Sequence, residues 1–278
     1  MESPHPAVYS PRRAWLARLE RWLVAFSLIV LVLGLACVGV LFHVRTGLPD
    51  IRGLADYRPA QVSRLVDVHG RVVAELFEQK RTVVPLARVP AHVRHAFLAA
   101  EDADFYRHPG MDWTGLARAM LKNLMRGRLA QGGSTITQQV AKNLVVGSER
   151  TLWRKLRELL VALRLESFLG KDDILALYLN EIYFGHSCHG VQEASRFYFA
   201  KDVAELGVGE AALLAALPKS PANYSPLRHP ERARQRRDWV LGQMALHGWL
   251  SSEAASAAQA APVAVVAEAP DFFALAPY

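Results

Sequence analysis

Glu101-Asp102-Ala103-Asp104-Phe105-Tyr106-Arg107-His108-Pro109-Gly110, followed by Gly132-Gly133-Ser134-Thr135-Ile136-Thr137-Gln138-Gln139, is the part of this chain from which the rest can be read. Upstream of it, Val93, Phe97 and Ala100 recur at helical spacing after Pro90, a residue suited to a first helical position. His108-Pro109-Gly110 then ends that helix, so the carboxylates fall at its end. Between the two stretches Asp112 can cap a helix running to about Arg126 and stopping at Gly127. At the second stretch the glycines let the backbone turn sharply, and Thr135 with Gln138 three residues on fits a capping box.

Further outward the helical period persists. Thr151 to Leu169 places Leu152, Leu156, Leu159, Leu160 and Leu163 on one face, with Arg150, Arg154 and Glu158 away from it. Helices are predicted from Asp172 to Asn180, from about Gly209 to Leu217 before Pro218, and from Arg232 to His247. The alanine-rich stretch Ala254 to Ala269 reads as a short helix and a linker. Only Arg64 to Phe77 alternates apolar and polar residues, around His69-Gly70, as a hairpin or extended stalk would. The expected fold class is therefore mainly α.

Leu23 to Phe42 is a run of 20 uncharged residues. At about 1.5 Å per residue it matches the roughly 30 Å of a bilayer core, so one transmembrane helix is expected. Arg12, Arg13, Arg18 and Arg21 precede it against Glu2 and Glu20. The positive-inside bias puts the amino terminus in the cytoplasm and the rest on the outer, periplasmic face of the inner membrane. A cleaved signal peptide would have a shorter apolar core, and Gly34-Leu35-Ala36-Cys37 lies too late in the run for a lipid-attachment box. The expected organisation is a basic tail over 1–22, a membrane helix over 23–42, a stalk over 43–85, a catalytic domain over 86–250 and a linker-like tail over 251–278.

The 278 residues are 51% apolar and 21% charged with a net charge of +7, an ordinary globular balance that excludes wholesale disorder. Four arginines and two glutamates precede the span, so +5 of that charge lies beyond it, suiting a membrane surface or a phosphate-bearing substrate. Nucleic acid is not expected outside the membrane. The two cysteines, Cys37 and Cys188, give no disulfide framework. Without a dedicated His or Cys spacing no tightly bound metal is expected, which leaves room for a loosely bound divalent cation and for no other cofactor.

A carboxylate at the end of an apolar helix, such as Glu101, can have its pKa raised by burial and accept a proton from a hydroxyl. Asp102, turned about 100° from it, need not share its face. The helix start after Gly132-Gly133 can offer free N–H groups to an anion, and Gln138 and Lys142 lie one turn apart behind it. Arg150, Arg154 and Glu158 repeat every four residues, as salt-linked surface residues or as guanidinium groups presented to a diphosphate with a carboxylate beside them. Trp113, Leu116, Met120 and Leu124 form an apolar stripe that fits either core packing or immersion in a lipid leaflet, with Arg118, Lys122 and Arg126 on the same helix.

Four ordered motifs go together: Glu-Asp-x-x-Phe-x-x-His-x-Gly over 101–110, Gly-Gly-Ser-Thr-Ile-Thr-Gln-Gln over 132–139, Arg-Lys-x-x-Glu over 154–158 and Lys-x-x-Ile-Leu-x-x-Tyr-Leu-Asn over 171–180. In these the chain resembles the family 51 peptidoglycan glycosyltransferases, and the likeness runs from about Leu86 to Leu250, through Pro218-Lys219-Ser220-Pro221 and Tyr224-Ser225-Pro226. The resemblance implies a lysozyme-like helical head with a smaller membrane-contacting jaw. It also implies an inverting polymerisation of lipid II onto an undecaprenyl-diphosphate-linked glycan strand.

By the same resemblance Glu101 looks like the general base, and Glu158 like a second essential carboxylate with the division of labour open. Lys142 and Arg150 match the cations near the donor phosphates. Arg118, Ser134, Thr135 and Gln138 match lesser positions of the cleft, and Arg154 and Lys155 lie in the third motif. His108 reads as a structural hydrogen-bonder, and His186 and His189 as loop surface.

Three places depart from the family pattern: Ala176 for a common glutamate, Ala200 for a frequent glycine, and His186-Ser187-Cys188-His189 for a turn that usually contains an aromatic. No Ser-x-x-Lys or Lys-Thr-Gly motif occurs, so a separate transpeptidase is the expected partner. Two rival functions stay open on sequence alone. One is a lysozyme-like hydrolase or lytic transglycosylase, which would share the glutamate but not need the cations. The other is a non-catalytic membrane scaffold.

Overall fold

A computed structural model of the chain describes residues 11–46, 63–69, 72–76, 80–115, 117, 133–146 and 151–266. The chain divides into two compact units, Met1–Pro49 and Asp50–Tyr278. The first is built on one helix, α1 (Pro11–Thr46). Among its described side chains Trp22, Phe26 and Ile29 are exposed, as are the leucines and valines between them. The side chains described without a break run from Glu20 to Leu35. Among the described residues no helix is long and apolar enough to cross a membrane. Within Leu23–Phe42 the side chains of 36, 37 and 40–42 lie outside the described ones.

The second unit is mainly helical. It opens with the expected hairpin, β1 (Ser63–Val66) antiparallel to β2 (Val72–Leu76), with an irregularity between Leu65 and Val66. Asp67 accepts the His69 N–H in its turn. A short strand β3 (Lys80–Arg81) precedes α2 (Ala91–Glu101), which starts after Pro90 and buries Val93, Ala96, Phe97, Leu98 and Ala99. After the loop come α3 (Ile136–Ala141), a π turn over Lys142–Val146, α4 (Leu152–Phe168) and α5 (Lys171–Glu181). Strand β4 (Cys188–His189) pairs parallel with β3. Helices α6 (Val191–Phe199), α7 (Val208–Ala216), α8 (Pro221–Tyr224), α9 (Pro230–Leu246) and α10 (Ser252–Ala260) complete the order.

The core has two halves. Helix α7 is buried from Ala211 through Leu217 and packs on α2 and α9, while α3 packs on α4 and α5. Phe97 of α2 joins the halves, meeting Tyr178 of α5 edge-on at 6.3 Å and Phe184 at 5.8 Å. Emptying such a site by truncation costs about 3–5 kcal/mol.

Two expectations are corrected by the packing. The inward face of α4 is Glu158, Val161, Ala162 and Leu165; Leu163 is exposed, and Leu156, Leu159 and Leu160 are only partly covered. Small and β-branched residues let α4 approach its neighbours closely, so the leucine stripe lies beside the contact rather than in it. The body also begins before residue 86. Arg81 pairs with Glu181 at 2.9 Å with both side chains buried, and Asn180 bonds both the N–H and the carbonyl of Val84. The predicted helix over 112–126 lies mostly outside the described residues; its start is present, with Asp112 accepting from the N–H of Gly115 at 2.8 Å.

Candidate active site

Glu101 is the last residue of α2. Its Oε2 accepts from Nε2 of Gln139 on α3 at 2.7 Å. Burial raises its pKa, as does the neighbouring Asp102, while the Gln139 hydrogen bond, Arg236 and Lys219 act to lower it. A carboxyl whose proton affinity is raised in this way, with fixed donors around it, is suited to accepting a proton.

Asp102 turns the other way and serves the fold. It accepts from the backbone N–H of Ile136 at 3.1 Å and faces Nε2 of His108 at 2.9 Å. The helix start after Gly132-Gly133 is therefore occupied by the protein's own carboxylate. The expected anion seat is filled from within, for the same electrostatic reason that made it a candidate. His108 holds that carboxylate in place, as its reading as a structural residue requires.

Thr135 caps α3 but is buried. Its hydroxyl accepts from Gln138 N at 3.2 Å and donates to the Gly110 carbonyl at 2.7 Å. The return half of the predicted capping box is replaced, because the Gln138 side chain accepts from Lys155 at 3.2 Å. Gly110, at φ +85°, has no room for a Cβ, which would sit 2.9 Å from Cγ of Glu166. Glu166 in turn accepts from Thr137 at 2.5 Å and from Lys171 at 2.7 Å, and Lys171 also donates to the His108 carbonyl. The loop after Glu101 is thus fastened to α3, α4 and α5 at once.

The third motif forms a second cluster. Glu158, 2% exposed, accepts from Arg154 at 2.5 Å and from Lys155. Lys155 also donates to Ser134 Oγ at 3.0 Å. The reading of Arg154 and Glu158 as solvated surface residues does not hold, since the carboxylate is inside. Ser134, Gln138, Arg154, Lys155 and Glu158 are brought together, whereas Lys142 stands exposed where α3 gives way to the π turn. Such turns recur at functional positions. Arg118 and Arg150 lie outside the described residues.

Both carboxylates are linked to one short helix. Consecutive residues of α3 reach them, Gln138 through Lys155 to Glu158 and Gln139 directly to Glu101. Of the two adjacent glutamines the sequence points to Gln138, whereas the partner of Glu101 is Gln139. Lys219, after α7, and Arg236, on α9, also act on the charge of Glu101. Lys219 lies inside the quoted Pro218–Pro221 stretch; nothing in the sequence marks Arg236 among the arginines of α9.

A buried carboxylate at a helix end and a second one held by two cations are thus the two ionisable clusters reached from α3. A profile of the Transglycosylase family matches residues 69–245, and the chain belongs to that family. It is 43% identical over 250 residues to penicillin-binding protein 1A of Aquifex aeolicus (strain VF5), which covers 90% of this chain and 34% of that protein. It is 44% identical over 197 residues to penicillin-binding protein 1F of Bacillus subtilis (strain 168), 71% of this chain and 28% of that one. A crystal structure of penicillin-binding protein 1A from Haemophilus influenzae superposes with a TM-score of 0.46 at 25% identity, covering 76% of this chain and 22% of that one. The chain spans about a third of the length of the curated relatives it matches.

Proposed function

We propose that this protein is a peptidoglycan glycosyltransferase that polymerises lipid II. Glu101 takes the proton of the acceptor 4-hydroxyl as that oxygen attacks the anomeric carbon of the growing strand. The new C–O bond forms with inversion, the bond to the diphosphate breaks, and undecaprenyl diphosphate leaves. A diphosphate departs readily, so placing the two substrates and neutralising developing charge is the main task. Lys142, Arg150, Arg154 and Lys155 would meet the departing diphosphate, with Ser134 and Gln138 orienting Lys155 and Glu158 orienting both Arg154 and Lys155. Arg118 belongs to the same substrate group, and Thr135 acts by fixing α3. No tightly bound metal or cofactor enters the scheme.

The observation that supports this most directly is the pair of carboxylates joined through Gln138 and Gln139. A hydrolase acting on sugar leaving groups needs an acid as well as a base, and has no use for cations around its second carboxylate. We further propose a lysozyme-like head with a membrane-contacting jaw that includes the exposed Trp113. The anchor is α1, which would hold the catalytic unit at the outer face of the inner membrane, where a transpeptidase would cross-link the product.

The test is incubation of the full chain with lipid II and, separately, with purified sacculi. Polymer from lipid II that disappears in Glu101→Gln supports the proposal. Soluble fragments from sacculi, or full cellular function of Glu101→Gln, would overturn it in favour of cleavage or scaffolding.

A further inference from the structure

The cations that the third motif supplies are already committed to Glu158, yet two others act on the charge of Glu101, one from α9 and one from the segment after α7. Helix α9 begins Pro230-Glu231-Arg232-Ala233-Arg234-Gln235-Arg236-Arg237, and its arginines have different fates. Arg234 faces Glu231 at 3.6 Å. Arg237, buried, bonds the carbonyls of Gln259 and Ala261 at the end of α10 and the carboxylate of Asp238. Arg232 is exposed. Arg236 differs from all three.

The guanidinium of Arg236 lies 3.7 Å over the ring of Trp239, a side chain that is itself 41% exposed. Its Nε is buried without a hydrogen-bond partner among the described residues. α9, which carries Arg236, packs on α2, which ends in Glu101, and the charges of Arg236 and Lys219 both favour the ionised form of Glu101. Stacking on an indole fixes a planar donor fork and leaves its edge open to an oxyanion. Lys219, exposed, adds a second positive charge that acts on Glu101.

We infer that Arg236 and Lys219 form a second anion-binding site on the acceptor side of Glu101, which holds an acidic group of the incoming sugar-lipid. This rests on the reading of Glu101 as the base. The acceptor brings two kinds of oxyanion, its own diphosphate and the carboxylates of its peptide stem, and either has the chemistry the pair recognises. Gripping the acceptor by such a group would set its 4-hydroxyl against Glu101, while the Glu158 cluster deals with the departing diphosphate. The two sites thus divide two anionic substrates between two sides of one base. Trp239 offers the adjoining sugar an apolar face.

The experiment compares the wild-type full chain with Lys219→Gln and Arg236→Gln, on lipid II and on a lipid-linked disaccharide lacking the peptide stem. Lys219 is exposed, so its variant folds even if Arg236→Gln does not. Each variant is expected to raise KM about tenfold, the scale of one charge-assisted hydrogen bond, with a smaller effect on kcat. If the increase persists on the stemless substrate, the ligand is the diphosphate; if it vanishes there, the ligand is the stem carboxylate. An unchanged KM in folded Lys219→Gln and Arg236→Gln alongside an active wild type overturns this inference alone. A wild type that makes no polymer overturns the proposed function with it.

Discussion

Gln139 donates its side-chain amide to Glu101 at 2.7 Å from a helix whose first N–H, that of Ile136, is accepted by the residue next to that glutamate, Asp102. One carboxylate is fixed by the backbone of α3 and the other by its side chain. The hydrogen bond favours the ionised form of Glu101, against a burial that raises its pKa. Replacing Gln139 by Ala therefore raises that pKa further. The acidic limb of kcat/KM against pH is expected to move to higher pH, with kcat reduced about tenfold or more. An unmoved limb would remove Gln139 from the machinery.

Glu101→Gln separates activity from stability. An acid whose folded pKa lies above its unfolded one binds more protons folded than unfolded between the two values, so stability falls as pH rises through that window. Above it the buried charge is a standing penalty, which the neutral amide removes. Glu101→Gln is expected to abolish polymerisation and to raise Tm at neutral pH. Below the unfolded pKa the two proteins should melt alike. Thermal melts at neutral and acidic pH check both halves.

Glu158→Gln has the opposite stability sign. The carboxylate is 2% exposed and holds Arg154 and Lys155, so the amide leaves two cations close together without their anion. Arg154 and Lys155 are the more exposed partners and can turn toward water, which limits the loss to roughly 1–3 kcal/mol. Chemical denaturation should show it as a lower midpoint with unchanged slope. Lipid II turnover should fall with it, through misplaced cations.

Much of this was legible in the sequence because helix periodicity and caps are local. Pro90, Thr135, Thr151 and Arg232 mark starts that the structure keeps within a residue or two. The hairpin around His69 was equally local. What escaped depends on contacts between distant segments. The burial of Glu158 rather than of the leucine stripe depends on how α4 meets α3. The choice of Gln139 over Gln138 as the partner of Glu101 depends on the rotation of α3, which Asp102 sets from 34 residues away. Arg236 is 135 positions from Glu101, and no spacing rule connects residues so far apart.

Ala200 stands at the end of α6 with φ +54° and ψ 32°, a left-handed conformation that its Cβ disfavours. Glycine there is free of the clash, which explains why the departure noted in sequence carries a cost. Ala200→Gly is expected to stabilise the protein by about 1 kcal/mol, the left-handed penalty less the extra chain entropy of glycine. Ala200 belongs to neither hydrogen-bonded cluster around Glu101 and Glu158, so unchanged polymerisation is expected. A lower Tm would show that the αL turn is held by something other than backbone preference.

Tyr178 is fully buried, and its hydroxyl has no hydrogen-bond partner among the described residues. Burial first, then Glu101 and Asp102, hold its pKa well above that of a free phenol. A buried donor without a partner costs about 1–3 kcal/mol, so removing the oxygen while keeping the ring removes a penalty. The edge-on contact with Phe97 survives in Phe, since it belongs to the ring. Tyr178→Phe is thus expected to raise the denaturation midpoint by an amount worth about 1 kcal/mol, whereas Tyr178→Ala should lower it by several. A loss in Tyr178→Phe of more than about 1 kcal/mol would mean that the hydroxyl is bonded in solution. In that case the pH profile of Tyr178→Phe identifies the partner: a limb shifted to higher pH points to Glu101, and an unshifted one to Asp102.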